Sequence, residues 1–404
     1  MVFDKAYVIN VERNIDRFHR VHSDFKRIFP NIDIERVDAI DKNSLTEDFL
    51  NKIGVTPSPK WLEPWGSRTF TKGDIACALS HAKAWEKILI DKTEVALLLE
   101  DDVILGDGFL DGCLKVESQI GRNFDYVYLA RSKVGQSEEE SFSEDLVRPS
   151  YSYWCLCSLI SSSGAEKLRV KEYFQNLIPS DEYMPSRVAS SCTSTAQKLF
   201  GHLPKLNAYA IRENIAEPQE DAFINSETGK GQPMQLESRR KYINEELKLK
   251  ICTVATEDND GLARLRDSAE RYGIPLKVLG LEKDWTGGNV PKLENPGGGQ
   301  KINLLKPYLE QLEDDDILIF IDGYDVVFTG AIEEALRRFN EEFSADVVFS
   351  AEKSCWPDSG LANKYPTTSS EYKFLNSGTF MGKVSELKKI TEEPIEDTDD
   401  DQLY

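Results

Sequence analysis

The chain has no apolar run approaching the ~20 residues an α-helix needs to cross a bilayer, so no membrane-spanning segment is expected. Positive charge is scarce: 49 Lys and Arg stand against 70 Asp and Glu, a net charge of −21 over 404 residues. Such an acidic surface repels polyanions, which excludes non-specific binding to nucleic acid or to an anionic membrane. There is no CxxC repeat, and the seven cysteines (Cys77, Cys113, Cys155, Cys157, Cys192, Cys252 and Cys355) are odd in number. They read as small buried hydrophobes rather than as a structural zinc site, and they do not decide the compartment. Met1–Lys5 leads straight into an apolar run, with no basic segment, long hydrophobic stretch or small-residue cleavage site, so no leader is visible. Apolar residues make up 40% of the chain, enough to build cores and to argue against wholesale disorder, and the length suits two domains.

Strand and helix patterns alternate. Ala6–Val11 reads as a buried strand, Asp16–Ile28 as a helix, Ile32–Val37 as a strand and Gly73–Ile90 as a helix. Val95–Leu99 is a solid apolar run that ends abruptly in Glu100-Asp101-Asp102. Apolar density falls between about Glu217 and Glu246, which places a linker there, closing in a helix near Leu236–Leu247. The same grammar then restarts: strand Leu249–Ala255, helix Gly261–Tyr272, strand Leu276–Leu281, a Gly-rich turn at 296–299, helix Gln300–Leu312 and strand Ile317–Ile321, running into Asp322-Gly323-Tyr324-Asp325. This is an α/β chain whose halves each form a mostly parallel sheet flanked by helices.

In open α/β sheets, ligands collect beyond the carboxyl ends of strands, and both acid clusters sit there. Adjacent carboxylates repel, and a hard divalent cation such as Mg²⁺ or Mn²⁺ relieves that cost while holding phosphate oxygens. A polar turn after a strand is the alternative reading of Glu100-Asp101-Asp102. In Asp322-Gly323-Tyr324-Asp325 the glycine allows a sharp turn that lets two acids converge, and Tyr324 offers a face for a base. Asp399-Asp400-Asp401, taken alone, reads as a solvated tail. His81 and Trp85, one helical turn apart, read as helix packing. Gly297–Gly299 matches no phosphate-binding fingerprint.

Several stretches resemble known families. Asn10–Arg17, Val37–Asp41, Thr71–His81 and Leu98–Val103 resemble glycosyltransferase family 25. Tyr151–Trp154, Ser163–Leu168 and Pro179–Tyr183 are similar to its procollagen galactosyltransferase branch. From Leu247 onward the chain resembles the glycosyltransferase domain of procollagen lysyl hydroxylases. That likeness rests on Thr253–Thr256, Leu279–Leu281 with Trp285, Gly297–Lys301, Asp322–Val326, Phe349–Glu352, Cys355–Pro357, Phe374–Gly378 and Asp399–Gln402. The last of these displaces the solvated-tail reading.

The resemblance implies two nucleotide-sugar-binding domains of GT-A type: residues 1–231, a linker at 232–246, and 247–404, the last stopping short of a family His-Gly-Asn-Gly segment. It implies Mn²⁺ as cofactor, with Asp102 and Asp101 or Glu100 holding the ion in the first domain and Asp322 and Asp325 in the second. Asn10, Arg13 and Arg17 would border the diphosphate. Val254, Thr256, Lys301, Tyr324 and Trp285 would form the second nucleotide pocket. Glu352, Trp356, Asp400 and Asp401 would line its sugar or acceptor side. Asp181 or Glu182 would be the catalytic base of the first domain. The implied activity is transfer of galactose from UDP-galactose to collagen hydroxylysine, with a second domain like the enzyme that adds glucose from UDP-glucose, in the endoplasmic reticulum lumen. A lipooligosaccharide-type galactosyltransferase and a non-catalytic, chaperone-like subunit are the alternatives.

Overall fold

The computed structural model describes residues 1–66, 68–136, 138–220, 233–288 and 297–402. The chain divides into two compact units, Met1–Pro64 with Phe70–Met234, and Trp65–Thr69 with Gln235–Tyr404. Of the stretch expected to link two domains, residue 232 lies outside the described residues, and so does Pro296 of the Gly-rich turn. Residues 235–246 belong instead to the second unit. Polar composition suggested a tether there, but Ile243 is fully buried and Arg239 is tied to Glu333 through contacts of 2.5 and 3.0 Å.

The first unit opens with β1 (Lys5–Asn10), α1 (Ile15–Ile28), β2 (Asp33–Asp38), α2 (Glu47–Ile53), α3 (Lys72–Ile90) and β3 (Val95–Glu100). Then come β4 (Val103–Leu105), α4 (Phe109–Ile120), β5 (Tyr126–Lys133), β6 (Leu146–Val147), β7 (Ser152–Ser161), α5 (Ser162–Leu168), α6 (Lys171–Gln175), α7 (Ser180–Val188), α8 (Ser194–Phe200), β8 (Ala208–Ile211) and β9 (Ala216–Pro218). Seven strands form one sheet in the order β2-β1-β3-β7-β5-β8-β6. β1 runs parallel to both β2 and β3, with Ile9 opposite Glu100 and Asn10 opposite Asp38. The chain therefore steps from β1 to one side and returns on the other. This switch point opens a crevice beyond the carboxyl ends of β1 and β3.

Both strands are apolar along nearly their whole length because the sheet is covered on both faces; Val95 to Leu99 are at most 1% exposed. The sheet is mixed, since β7 lies antiparallel between β3 and β5. The acid-bearing strand belongs to its parallel half. Helix α3 lies over this half and starts from a capping box: Thr71 Oγ1 accepts from the Asp74 N–H at 3.3 Å, and Asp74 Oδ2 accepts from the Thr71 N–H at 2.8 Å. Its Trp85 packs beside Tyr173 and Tyr183, at 5.8 and 6.2 Å between ring centres.

The second unit repeats the switch. Its elements are α9 (Glu237–Lys241), β10 (Leu249–Val254), α10 (Asp260–Arg271), β11 (Leu276–Leu279), α11 (Gly299–Leu309), β12 (Ile317–Asp322), α12 (Ile332–Glu342), β13 (Val347–Glu352), β14 (Phe374–Lys383) and α13 (Val384–Ile390). The sheet order is β11-β10-β12-β14-β13, with β10 parallel to both β11 and β12 and Val254 opposite Asp322. Alternation along β10 and β12 feeds two cores. Ile251, Ile319 and Ile321 join Leu262, Leu265 and Ile332 on one face, while Cys252, Leu318 and Phe320 join Leu305, Phe380 and Val384 on the other.

Because α3 orients one wall of the first crevice, its cap is a testable anchor. Thr71→Ala removes the acceptor of the Asp74 N–H and should lower unfolding free energy by about 1 kcal/mol in a urea titration, with Thr71→Ser close to wild type.

Candidate active sites

The crevice of the first unit is an open cleft lined by Val11, Arg13, Arg17, Cys77, His81, Glu100, Asp101 and Asp102, among others. The three acids at the end of β3 have three different environments. Asp101 is anchored: Asn10 Nδ2 donates to its Oδ2 at 2.7 Å and Arg17 approaches its Oδ1 at 3.4 Å. Arg20 also donates to its main-chain oxygen at 2.9 Å. Glu100 faces α3, where Oε1 lies 2.8 Å from His81 Nε2. Asp102 keeps a buried Oδ1 with no hydrogen-bond partner.

Burial raises the Asp102 carboxyl to about 7, reinforced by the charges of Glu100 and Asp101. Burial also raises Asp101, against the pull of Asn10 and Arg17. Asp181, at the start of α7, is raised to about 6 by burial and by the charge of Glu100, while accepting from the Cys155 N–H at 3.1 Å. One negative field thus reaches from the strand end to α7.

The other expected residues of this unit divide. Asn10 and Arg17 reach the acids, but through Asp101, and Arg13 pairs with Asp41. Glu182 is 2% exposed and enclosed by hydroxyls: Tyr151 donates to it at 3.0 Å, Thr193 at 2.8 Å, and Tyr153 also donates. Sequence reasoning passed over His81 and Cys77, both of which line the cleft. Their i, i+4 spacing on a helix that packs near a strand ending in acids was the available signal.

In the second unit a lysine stands among the acids. Lys301, in the first turn of α11, lies 3.1 Å from Asp322 Oδ1 and 3.2 Å from Asp401 Oδ2. Burial disfavours its charge, yet Asp401 and Asp322 hold its pKa above the ordinary value. Asp322 is raised by burial, with Lys301 opposing and Asp325 adding to the rise. Ser377 Oγ donates to Asp401 at 2.9 Å, and Asp400 is 7% exposed, so these two acids are built into the site. The turn at Gly298 (φ 116°) is possible only without a side chain, since a Cβ would lie 2.3 Å from Asp401 Oδ1.

The Tyr324 hydroxyl accepts from the main-chain N–H groups of Thr256 and Glu257 at 3.0 and 2.9 Å, which ties the loop after β10 to the acid turn. Its ring is 37% exposed, as are Trp285 (41%) and Trp356 (43%), leaving aromatic faces open. The Trp285 indole N–H donates to Gly288 O at 2.8 Å. Val254 closes β10 opposite Asp322. Glu352, ending β13, accepts from Gln402 at 3.2 Å, and Gln402 also donates to the Trp356 carbonyl at 3.3 Å.

Comparison with known proteins bears out the likeness seen in each half. Residues 3–184 match the glycosyltransferase family 25 (LPS biosynthesis protein) model, and residues 245–404 match the PLOD GT domain. Over 162 residues, 39% of this chain and 22% of the relative, the chain is 46% identical to a Drosophila melanogaster procollagen-lysine,2-oxoglutarate 5-dioxygenase. It is 46% identical over 160 residues to a Caenorhabditis elegans multifunctional procollagen lysine hydroxylase and glycosyltransferase, again 39% of this chain and 22% of the relative. It is 27% identical over 289 residues, 69% of this chain and 32% of the relative, to a procollagen lysyl hydroxylase and glycosyltransferase of Acanthamoeba polyphaga mimivirus. The chain thus spans between a fifth and a third of the length of these relatives.

Two outcomes follow from the charge pattern. Between about pH 4 and 7 the folded chain keeps a proton on Asp102 that the unfolded chain releases, so stability falls as pH rises through that window. Asp102→Asn should therefore raise metal-free stability at pH 8, by at most about 4 kcal/mol, and flatten the melting-temperature profile from pH 5 to 8. Lys301→Ala leaves Asp322 and Asp401 facing each other unpaired and should cost on the order of 2 kcal/mol in urea titrations, more at pH 8 than at pH 5.

Proposed function

We propose that the chain is a collagen glycosyltransferase with two donor sites, the first transferring galactose from UDP-galactose to hydroxylysine and the second of the kind that adds glucose from UDP-glucose. The observation that carries this reading is the placement of both acid clusters at the two switch points, where Glu100–Asp102 ends β3 and Asp322–Asp325 follows β12. The matched families and the relatives' collagen-modifying names support the substrate class. On this reading the acceptor would be met in the lumen of the secretory pathway, which the resemblance narrows to the endoplasmic reticulum. Among the described residues no helix is long and apolar enough to cross a membrane.

The residues present fit a divalent cation. In the first unit Asp102 offers an orphaned buried oxygen beside Glu100, and Asp101 fixes the loop through Asn10 and Arg17. In the second unit Asp322 and Asp325 would hold it, next to Lys301. When bound, the ion, Mn²⁺ on the resemblance, supplies positive charge against the diphosphate that leaves with UDP.

The chain's own side chains do the rest. Arg17 borders the first cleft as a fixed cation for phosphate oxygens. Asp181 is the base we assign to remove the hydroxylysine proton, because a neutral alcohol is a poor nucleophile. Its raised pKa and partial exposure suit that task, whereas Glu182 is enclosed and orients α7 through Tyr151, Tyr153 and Thr193. In the second unit Lys301 would meet the diphosphate. The faces of Tyr324 and Trp285 would take the uracil, with Val254 and the Thr256 backbone at its edge. Glu352, Trp356, Asp400 and Asp401 would form the sugar side.

Incubation with UDP-galactose, Mn²⁺ and a hydroxylysine peptide should label the peptide. Asp102→Ala and Asp181→Asn should each lower that rate by about 10²-fold or more, with folding checked by circular dichroism. Asp322→Ala should spare galactose transfer and remove glucose transfer to galactosyl-hydroxylysine. Preferential labelling of a lipooligosaccharide would overturn the collagen assignment, and UDP binding without any transfer would mark a non-catalytic subunit.

A further inference from the structure

The first cleft contains a second donor set that is not all oxygen. Cys77 and His81 stand one turn apart on α3, and Glu100 ends β3. One ligand atom from each, the thiol sulfur, an imidazole nitrogen and a carboxylate oxygen, lies within 4.8 Å of the other two. Among the described residues no other group of three such side chains comes this close. From this geometry we infer that Cys77, His81 and Glu100 form a binding site for Zn²⁺, with a fourth position left to solvent.

The chemistry follows from the donors. Thiolate and imidazole select a borderline ion, whereas Mn²⁺ and Mg²⁺ favour oxygen shells. A tetrahedral zinc with bonds of about 2.0–2.3 Å sets its ligand atoms roughly 3.3–3.8 Å apart, so the 2.8 Å His81–Glu100 pair has to open slightly, and any pair near the 4.8 Å limit has to close by about 1 Å. His81 is 2% exposed and Nε2 already points at Glu100 Oε1, 2.8 Å away, so α3 and β3 hold two of the three donors in place. Binding replaces that hydrogen bond with two metal bonds. The thiol proton, and any proton on the ligating imidazole nitrogen, pass to solvent. Cys77 lies on the helix that the Thr71–Asp74 capping box fixes, which sets its distance from the strand end. Zinc here also takes Glu100 from any ion held with Asp102, so the two occupancies compete for one carboxylate.

The test uses the full chain with no nucleotide or acceptor, so its result does not depend on whether sugar transfer occurs. The metal-free protein is titrated with Co²⁺ as a coloured probe and, separately, loaded with one equivalent of Zn²⁺ for X-ray absorption. Expected are tetrahedral cobalt bands with a near-ultraviolet thiolate charge-transfer band, and a zinc shell containing one sulfur at about 2.3 Å. Cys77→Ser and His81→Gln should each weaken zinc binding by about 100-fold or more in a chelator competition, while Cys155→Ser leaves it unchanged. A zinc shell of nitrogen and oxygen alone overturns the site even if Cys77→Ser does not fold. So does a charge-transfer band that survives in Cys77→Ser.

Discussion

Like charges at the tips of buried strands are the constraint on which both units turn. A strand covered on both faces delivers its last residue into a region with little water, and a carboxylate placed there is costly. Two parallel neighbours leaving in opposite directions open a space in which that cost can be met by a ligand. The first unit meets part of it with Asn10, Arg17 and His81 and leaves one Asp102 oxygen unpartnered. The second meets it internally, with Lys301 between Asp322 and Asp401. The same sheet logic thus ends in one site that leaves a buried carboxylate oxygen unpartnered and one that carries a cation of its own.

That difference bears on how each cleft would receive a charged donor. In the first, positive charge sits at the rim on Arg17 while the floor is acidic, so an incoming pyrophosphate needs the floor neutralised. In the second, a phosphate group would have to draw Lys301 from its carboxylates. On the proposed reading, that exchange would free Asp322, the residue assigned to the ion, and would so couple the arrival of the nucleotide to the ion site.

Much of this was legible in the sequence, for identifiable reasons. Val95–Leu99 and Ile317–Ile321 announced themselves because double burial forbids polar interruption, and the acids directly after them marked the carboxyl ends. The antiparallel strands β7 and β14 were not legible, since the direction of pairing leaves no trace in hydrophobic content. Residues 235–246 read as a tether because a polar stretch concealed three buried side chains, Leu236, Arg239 and Ile243. The place of Asp401 in the site could not be read from an acidic run, because it depends on Lys301 and Ser377 earlier in the chain. His81 looked like packing for the same reason: its partner, Glu100, is supplied by another element.

The glycine turn at Gly298 has its own consequence for how the second unit is assembled. Its backbone nests against residues 399 and 401, since Gly299 N–H bonds to Asp399 O at 2.9 Å and Asp401 occupies the place of a side chain. On the ribosome the lysine at position 301 emerges long before either acid of that tail. The nascent chain must therefore hold an unfinished pocket, its wall missing, until residues 399–401 have followed.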